Sequence, residues 1–407
     1  MAGMRPWIAL LVGVLLAACG GSPNTQPAAP VTSTAPIAER LIVEGDDATR
    51  IVDPASGGVI QTLPGGVLSP TLDLIVTTKG NAKEEQVRGI DLNGQTVLDV
   101  TVPGDYRLPN AYGAAPSGFS PNGKWLVLVS RNVDLSHFAV IDVAHNKVAN
   151  LVDLSARFTF DAIHNDGAAM YLIEHPKPGA TSYNVRYYDL IANVLKPDII
   201  FDKAAIAQYD PTVGLMDGTF HVSLAPKGGD WSYGLYMRPN GSPFVHALNV
   251  PGHYATCIVD LAGAWTKSSR FSMALADDGR YLYVVDSGMG TISVIDALSQ
   301  KVARRATFAG RASDGDTTAS AVISHDGTRL YASSTRGVAI LTTADLGLKG
   351  WAAPDLAVRS LALRRDGSAL YALAGDTISV IDPLSGRVTS QLVSVLGARA
   401  LHLAPAN

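Results

Sequence analysis

The chain has only two cysteines and no surplus of positive charge. Cys19 ends an apolar N-terminal segment, and Cys257 lies in an alternating apolar stretch that favours a buried, unreactive side chain. Lys and Arg number 32 against 36 Asp and Glu, which gives a formal net charge of -4 over 407 residues. Nucleic-acid binding needs an excess of cations to neutralise phosphates. The composition therefore argues against a nucleic-acid partner and against a fold that depends on disulfides.

Motifs of the common catalytic and metal sites are also missing from the sequence. The nine histidines show no HExxH run, and there is no phosphate loop, dinucleotide fingerprint or Gly-x-Ser-x-Gly elbow. Asp314 and Asp316 could offer oxygens to Ca²⁺, but the alternating ligands and distal Glu of a calcium loop do not accompany them. We therefore expect no metal, no cofactor and no catalytic residue.

The N-terminal segment has the features of an export signal followed by a tether. Trp7–Ala18 is uncharged, and its twelve residues, at ~1.5 Å each, fall short of a ~30 Å hydrocarbon core. Leu16–Gly20 resembles the bacterial lipobox, which implies a lipidated Cys19 at the mature N-terminus; the alternative is an ordinary secretory signal cut at Ala17 and Ala18. The stretch 20–38 has four prolines and no charge, as in an extended linker. We expect a signal peptide at 1–18, a lipidated tether at 19–38 and one domain at 39–407.

The rest of the chain repeats a unit every ~40 to 50 residues, a period typical of propellers and solenoids. Residues 275–302 and 363–388 are nearly superimposable, and each contains an Asp-Gly turn, two alternating strands and a four-residue turn. This order predicts a four-stranded antiparallel blade. The position that ends one strand recurs in eight candidate units, at Asp53, Asp91, Asp142, Asp189, Arg238, Asp296, Thr342 and Asp382. We interpret the aspartates as turn caps.

These units resemble the YVTN-type, WD40-like repeats of bacterial extracytoplasmic propellers, most closely over 275–308 and 363–393. The resemblance implies an all-β protein with a single propeller of seven or eight four-stranded blades. The first unit, which begins at Leu41, lacks a preceding strand, whereas 398–404 forms a strand without a unit. We therefore expect the C-terminal strand to pair with the first blade and close the ring, which removes the open sheet edges.

Long loops are expected on one face, because the second-to-third loops and the blade connections of a propeller share an edge. Long loops on a rigid scaffold commonly bind ligands, so we expect the ligand on this face. Asp217–Gly218 is interpreted as a first turn, which makes 225–233 a second-to-third loop. The candidate ligand face then comprises Glu174, His175, Tyr183, Lys227, Asp230, Trp231, His253, Tyr254, Trp265 and Arg270.

Two functions remain open at this point. The first is a non-catalytic, monomeric binding or scaffolding module, lipid-anchored on the extracytoplasmic side of a membrane, with an envelope protein, a peptide or a small ligand as partner. That membrane is the outer one if the organism has one. The alternative is a propeller enzyme of the lactonase or quinoprotein-dehydrogenase type, since similar repeats support such activities. We expect the binding module.

Overall fold

The structure is a computed structural model of the chain, and it describes residues 39–109, 117–132, 136–177, 179–200, 216–311, 319–392 and 394–405. The predicted signal peptide, the lipidation site Cys19 and the tether lie outside these ranges, as does the pair Asp314 and Asp316. Within the described ranges, no helix has the length and apolar character needed to cross a bilayer.

The described residues form 33 strands. The strands of the N-terminal half are β1 (Glu39–Gly45), β2 (Ala48–Val52), β3 (Val59–Pro64), β4 (Val67–Leu68), β5 (Leu74–Gly80), β6 (Glu84–Asp91), β7 (Thr96–Pro103), β8 (Tyr106–Arg107), β9 (Trp125–Ser130), β10 (Ser136–Asp142), β11 (Lys147–Leu154), β12 (Phe158–Ile163), β13 (Ala169–Glu174), β14 (Ser182–Asp189), β15 (Val194–Ile200) and β16 (Met216–Asp217). Those of the C-terminal half are β17 (Thr219–Leu224), β18 (Trp231–Met237), β19 (Pro243–Asn249), β20 (Tyr254–Asp260), β21 (Phe271–Leu275), β22 (Tyr281–Asp286), β23 (Thr291–Asp296), β24 (Lys301–Thr307), β25 (Ala321–Ile323), β26 (Arg329–Ser334), β27 (Gly337–Thr342), β28 (Leu348–Ala352), β29 (Val358–Leu363), β30 (Leu370–Ala374), β31 (Thr377–Ile381), β32 (Val388–Gln391) and β33 (Ala398–Pro405).

The strands form eight antiparallel sheets, which are the blades of a propeller. Blade 1 has the order β33-β1-β2-β3, and blades 2 and 3 are β4 to β7 and β8 to β11. Blade 4 is β12 to β15, with the short β16 beside β14, and blades 5 to 8 take β17 to β32 four at a time. First strands of neighbouring blades contact one another, for example β17 with β21 and β21 with β25, so they lie at the centre of the ring.

The ring closes through the C-terminal strand. β33 pairs with β1 along its length, with Leu401 opposite Val43 and His402 opposite Ile42. This pairing confirms the predicted closure, and the eight blades decide between the two expected blade numbers. Closure leaves no blade without its first strand, and each blade therefore presents both sheet faces to neighbours.

The hydrophobic core consists of one apolar cluster between each pair of adjacent blades. Blades 1 and 2 share a cluster that includes Ile42 and Ile75, and blades 8 and 1 share one that includes Tyr371 and Leu41. The other six clusters follow the ring in the same way. Middle strands are therefore apolar on both faces, which explains continuous runs such as 281–286, whereas outer strands such as β24 alternate between exposed and half-buried residues.

The recurring turns have the predicted chemistry. Gly279 has φ = +71° in the turn between β21 and β22, a conformation that costs glycine little. At the strand-ending position, Asp296 accepts hydrogen bonds from the backbone N–H groups of Leu298 and Ser299 at 3.0 Å. Equivalent bonds are made by Asp53, Asp91, Asp142, Asp189 and Asp382. The interpretation of these carboxylates as turn caps is confirmed.

Blade 5 is offset from the expectation by one strand, because β17 is its first strand and not its second. Asp217 belongs to β16, so the loop after β17, residues 225–230, is a first-to-second turn and not a second-to-third loop. The strand-ending position of this blade is Asn249, which accepts a 2.7 Å hydrogen bond from the N–H of Gly252, and not Arg238. The prediction was wrong here because a glycine-containing turn stands at both ends of β17, and each fits the same alternating pattern.

Candidate functional site

A cavity with a volume of about 560 Å³ lies among blades 3, 4 and 5. It opens on the edge of the ring that carries the second-to-third loops and the blade connections, which we call the connector face; the opposite edge is the turn face. The cavity is lined by the end of β9, the start of β10, the start of β12 and residues 175, 177 and 179–181. Its size is that of a small-molecule site, since such pockets hold about 300–1,000 Å³.

Aromatic side chains form much of the cavity wall. The rings that line it belong to Phe138, Phe158, Phe160, Tyr183, Phe220 and Tyr236. Tyr183 and Tyr236 stack with ring centroids 5.2 Å apart, and burial raises the pKa of both phenols well above 10. The hydroxyl of Tyr183 is buried and interacts with the hydroxyl of Tyr236. A ligand that reached this pair would meet two phenol groups, each able to donate or accept a hydrogen bond.

The charged groups of the wall are mostly cationic. Arg107, Arg157 and Lys177 line the cavity, and within the described ranges none of the three has an ion-pair partner. Arg107 and Lys177 are exposed and Arg157 is half-buried. Among the described residues of the wall, cations therefore outnumber carboxylates, an arrangement that favours an anion.

Two histidines complete the polar part of the wall. His175 lies 3.0 Å from the hydroxyl of Thr159 through Nε2, and its pKa is lowered by burial and by the neighbouring charge of Arg157. Nε2 of His137 lies 2.9 Å from a carboxylate oxygen of Asp153. Both side chains line the cavity, so hydrogen-bonding groups stand beside the cations.

Asp161 is the only carboxylate among the described residues of the cavity wall. It is the extra residue of a β-bulge, because Phe160 lies opposite Leu172 while Ala162 already lies opposite Tyr171. The carboxyl makes no hydrogen bond or ion pair within the described part of the chain, and burial raises its pKa from 3.8 to about 7. Near neutral pH this carboxyl is therefore divided between the neutral and the ionised form.

A second cavity of about 280 Å³ lies toward the turn face. Phe119, Ile163, Ser223 and Trp231 are among its lining residues. Asp161 is shared by the described walls of both cavities, and no other described residue is. The bulge in β12 thus places one titratable group between two spaces that approach opposite faces of the ring.

Two of the ten predicted residues, His175 and Tyr183, line the larger cavity, and Trp231 lines the smaller one. Glu174 is close in sequence, but it pairs with Arg186 at 2.7 Å and does not line either cavity.

Arg270 is fully buried, and its guanidinium donates to the carbonyls of Lys267 and Ser269 at 3.0 and 2.6 Å. Trp265 is 44% exposed near the second-to-third loop of blade 5.

Five of the ten predicted residues lie on the turn face, because β17 is the first strand of blade 5 and not the second. Lys227, Asp230, Trp231, His253 and Tyr254 belong to the first-to-second and third-to-fourth turns of that blade, or to the strand starts beside them. Nδ1 of His253 is 2.6 Å from the Tyr171 hydroxyl, and the imidazole stacks on Tyr187 with centroids 4.2 Å apart. The expectation that all ten residues share one face is therefore wrong.

Asp161 and the three cations of the cavity wall were not predicted from the sequence. One signal was available for the carboxylate, since 158–163 reads Phe-Thr-Phe-Asp-Ala-Ile, with a lone charge inside an aromatic strand. A charge at such a position is uncommon unless it is functional or paired. Arg107, Arg157 and Lys177 carry no local signal, because they come from three separate segments.

No protein-family model and no curated protein matches the sequence. Among solved structures, the chain is similar to apo AztD from Citrobacter koseri, with a TM-score of 0.58 and 14% identity over 90% of this chain and 98% of that one. It is also similar to the dihydro-heme d1 dehydrogenase NirN in complex with DHE, with a TM-score of 0.55 and 13% identity over 93% of this chain and 77% of that one. At identities this low, the structural similarity shows a shared fold and nothing more.

Proposed function

We propose that this protein is a non-catalytic propeller that binds a small ligand in the cavity among blades 3, 4 and 5. The observation that carries the proposal is the cavity itself: about 560 Å³ of space on the connector face, with six aromatic rings and a small set of convergent polar groups in its wall. This combination is typical of ligand pockets. A large protein partner would be expected to use a flatter surface.

The polar groups support binding more than catalysis. Hydrolytic sites of the two-carboxylate type need a pair of acids, and Asp161 is the single carboxylate of the described wall. Across the described ranges, no group of three or more His, Cys, Asp and Glu side chains is placed to hold a metal ion. We therefore place the lactonase-like and quinoprotein-like alternatives second.

The ligand-binding domain is proposed to work outside the cytoplasm, held to a membrane by a lipid on Cys19. The support is the sequence of residues 1–38, with its short apolar run, lipobox-like end and proline-rich linker. Replacing Cys19 with Ala should move the protein from the membrane fraction to the soluble fraction of cells that express it. Retention in the membrane fraction, and the absence of acylation in the parent protein, would contradict the anchor.

The cavity is tested with N-phenyl-1-naphthylamine, a neutral aromatic probe whose fluorescence rises in apolar sites. We expect one saturable site in the parent protein and its loss in Thr159→Trp, because Thr159 is exposed in the cavity wall on a strand that accepts aromatic residues. Thr101→Trp is the matched control, since Thr101 is exposed on the outer strand β7 and lines neither cavity. Equal probe binding by both variants would refute the proposed site.

A further inference from the structure

Among the described residues, the charges in the wall of the cavity of about 560 Å³ are unbalanced. Arg107, Arg157 and Lys177 stand in its wall without an ion-pair partner in the described structure, and Asp161 is the one acid there. Cations grouped around an apolar, partly enclosed space favour a ligand that brings the missing negative charge, because Coulomb attraction is stronger at lower local dielectric. Arg107 comes from blade 3, whereas Arg157 and Lys177 come from blade 4, so the three approach from different segments.

The position of Asp161 makes the binding of an anionic ligand depend on whether this carboxyl is protonated. The bulge in β12 takes this residue out of the regular pairing with β13 and places its carboxyl at the junction of the two cavities. An ionised carboxylate at that point would repel an anion in the cavity. A neutral carboxyl would remove the repulsion and add a hydrogen-bond donor.

The groups that face Asp161 are mostly neutral or cationic. Tyr171, Tyr183 and Tyr236 lie close enough for the charge of Asp161 to raise the pKa of each phenol. The remaining titratable or charged groups around the larger cavity are His137, His175, Arg107, Arg157 and Lys177. Burial, and then the charge of Arg157, lower the pKa of His175 below its ordinary value, which favours the uncharged imidazole.

We infer that the ligand of this cavity is an anion with an aromatic or otherwise apolar body, and that it binds while Asp161 carries a proton. The inference rests on the proposed function and narrows it to a class of ligand. The aromatic wall selects the apolar body, the three cations select the charge, and the bulged aspartate makes binding depend on pH. Carboxylates and phosphates share the required charge, and the experiment distinguishes them.

The experiment compares two probes of similar aromatic structure: 8-anilinonaphthalene-1-sulfonate, which is an anion, and N-phenyl-1-naphthylamine, which is neutral. We expect the anionic probe to bind about tenfold more tightly at pH 6 than at pH 8, since the protonated fraction of a carboxyl that titrates near 7 changes by about that factor. The neutral probe should bind equally at both pH values. Asp161→Asn should bind the anion at pH 8 as tightly as the parent protein does at pH 6.

Two further variants test whether the pH dependence is specific to Asp161 and whether Arg157 binds the negative charge of the probe. Asp198→Asn removes the same charge from an exposed position on β15 of the same blade and should keep the parent pH dependence. Arg157→Gln should weaken the anionic probe at least fivefold and leave the neutral probe unchanged. Any pH dependence that remains in Asp161→Asn does not come from the carboxyl of Asp161. Competition by benzoate, phenyl phosphate and benzyl alcohol then ranks carboxylate, phosphate and neutral ligands.

The outcomes distinguish this inference from the proposed function. Equal, pH-independent affinities for the two probes, both lost in Thr159→Trp, would overturn the inference and leave the binding site intact. Unchanged pH dependence in Asp161→Asn would overturn the role of the aspartate. Failure of both probes to bind the parent protein would overturn the inference and the proposed function together.

Discussion

Asp161→Asn should make the protein more stable above pH 7. The pKa of this carboxyl is raised from 3.8 to about 7 by burial. Each unit of pKa difference corresponds to about 1.4 kcal/mol, so ionisation of Asp161 costs the folded state roughly 4 kcal/mol as an upper limit. Because the folded state holds this proton more tightly than the unfolded chain does, the free energy of unfolding falls as the pH rises from about 4 to about 7.

The asparagine side chain is neutral at every pH and has nearly the shape of the protonated acid. We therefore expect the variant to match the parent protein at pH 4 and to exceed it by up to roughly 4 kcal/mol at pH 8. The measurement is urea denaturation followed by fluorescence at pH 4, 6 and 8, with the midpoint and slope compared at each pH. Relaxation around the charge will reduce the difference, so the sign and the pH at which it develops are the decisive results.

Asp198→Asn is the control, because it removes an exposed charge from the same blade. Its pH dependence should follow that of the parent protein. Parallel curves for all three proteins would refute the argument, since they would show that Asp161 ionises at its ordinary pKa. A variant less stable than the parent at pH 8 would show that the ionised carboxylate is stabilised by a partner.

Three other results are expected. Gly167→Ala should destabilise the protein by about 1–3 kcal/mol more than Gly279→Ala, because both turns have similar positive φ but a Cβ at Gly167 would overlap the ring of Trp125 while the space at Gly279 is open; equal midpoints in urea would contradict this. Deleting 398–407 should abolish cooperative unfolding in urea, because β33 supplies the first strand of blade 1, and a native-like midpoint would show that closure is dispensable. The purified protein should contain no stoichiometric metal by mass spectrometry and should not be stabilised by Ca²⁺; one bound metal per chain would favour the enzyme alternative.

The sequence by itself determined the repeating blade and its closure, because both follow from local patterns. Period-2 alternation makes a strand, an Asp-Gly pair makes its turn, and an aspartate at a strand end caps the next turn, as Asp296 and Asp382 do. The strand without a unit at 398–404 could find a partner only in the incomplete first blade. These are short-range signals, and each copy can be compared with the others.

Blade 5 shows where such signals stop being sufficient. Glycine-containing turns precede and follow β17, and either choice gives an acceptable alternation along the chain. Only pairing with the neighbouring strands decides which turn lies on which face, because the place of β17 in its blade depends on contacts with other segments. The offset moved half of the predicted ligand residues to the opposite edge of the ring.

The cavity was decided by the tertiary structure alone. Its wall is assembled from three blades, and Arg107, Arg157 and Lys177 acquire a common role only when those blades stand side by side. The bulge at Asp161 arises from a mismatch between β12 and β13 that neither strand shows by itself. A repeated sequence specifies each blade, whereas the site depends on the places where one blade departs from the repeat and meets its neighbours.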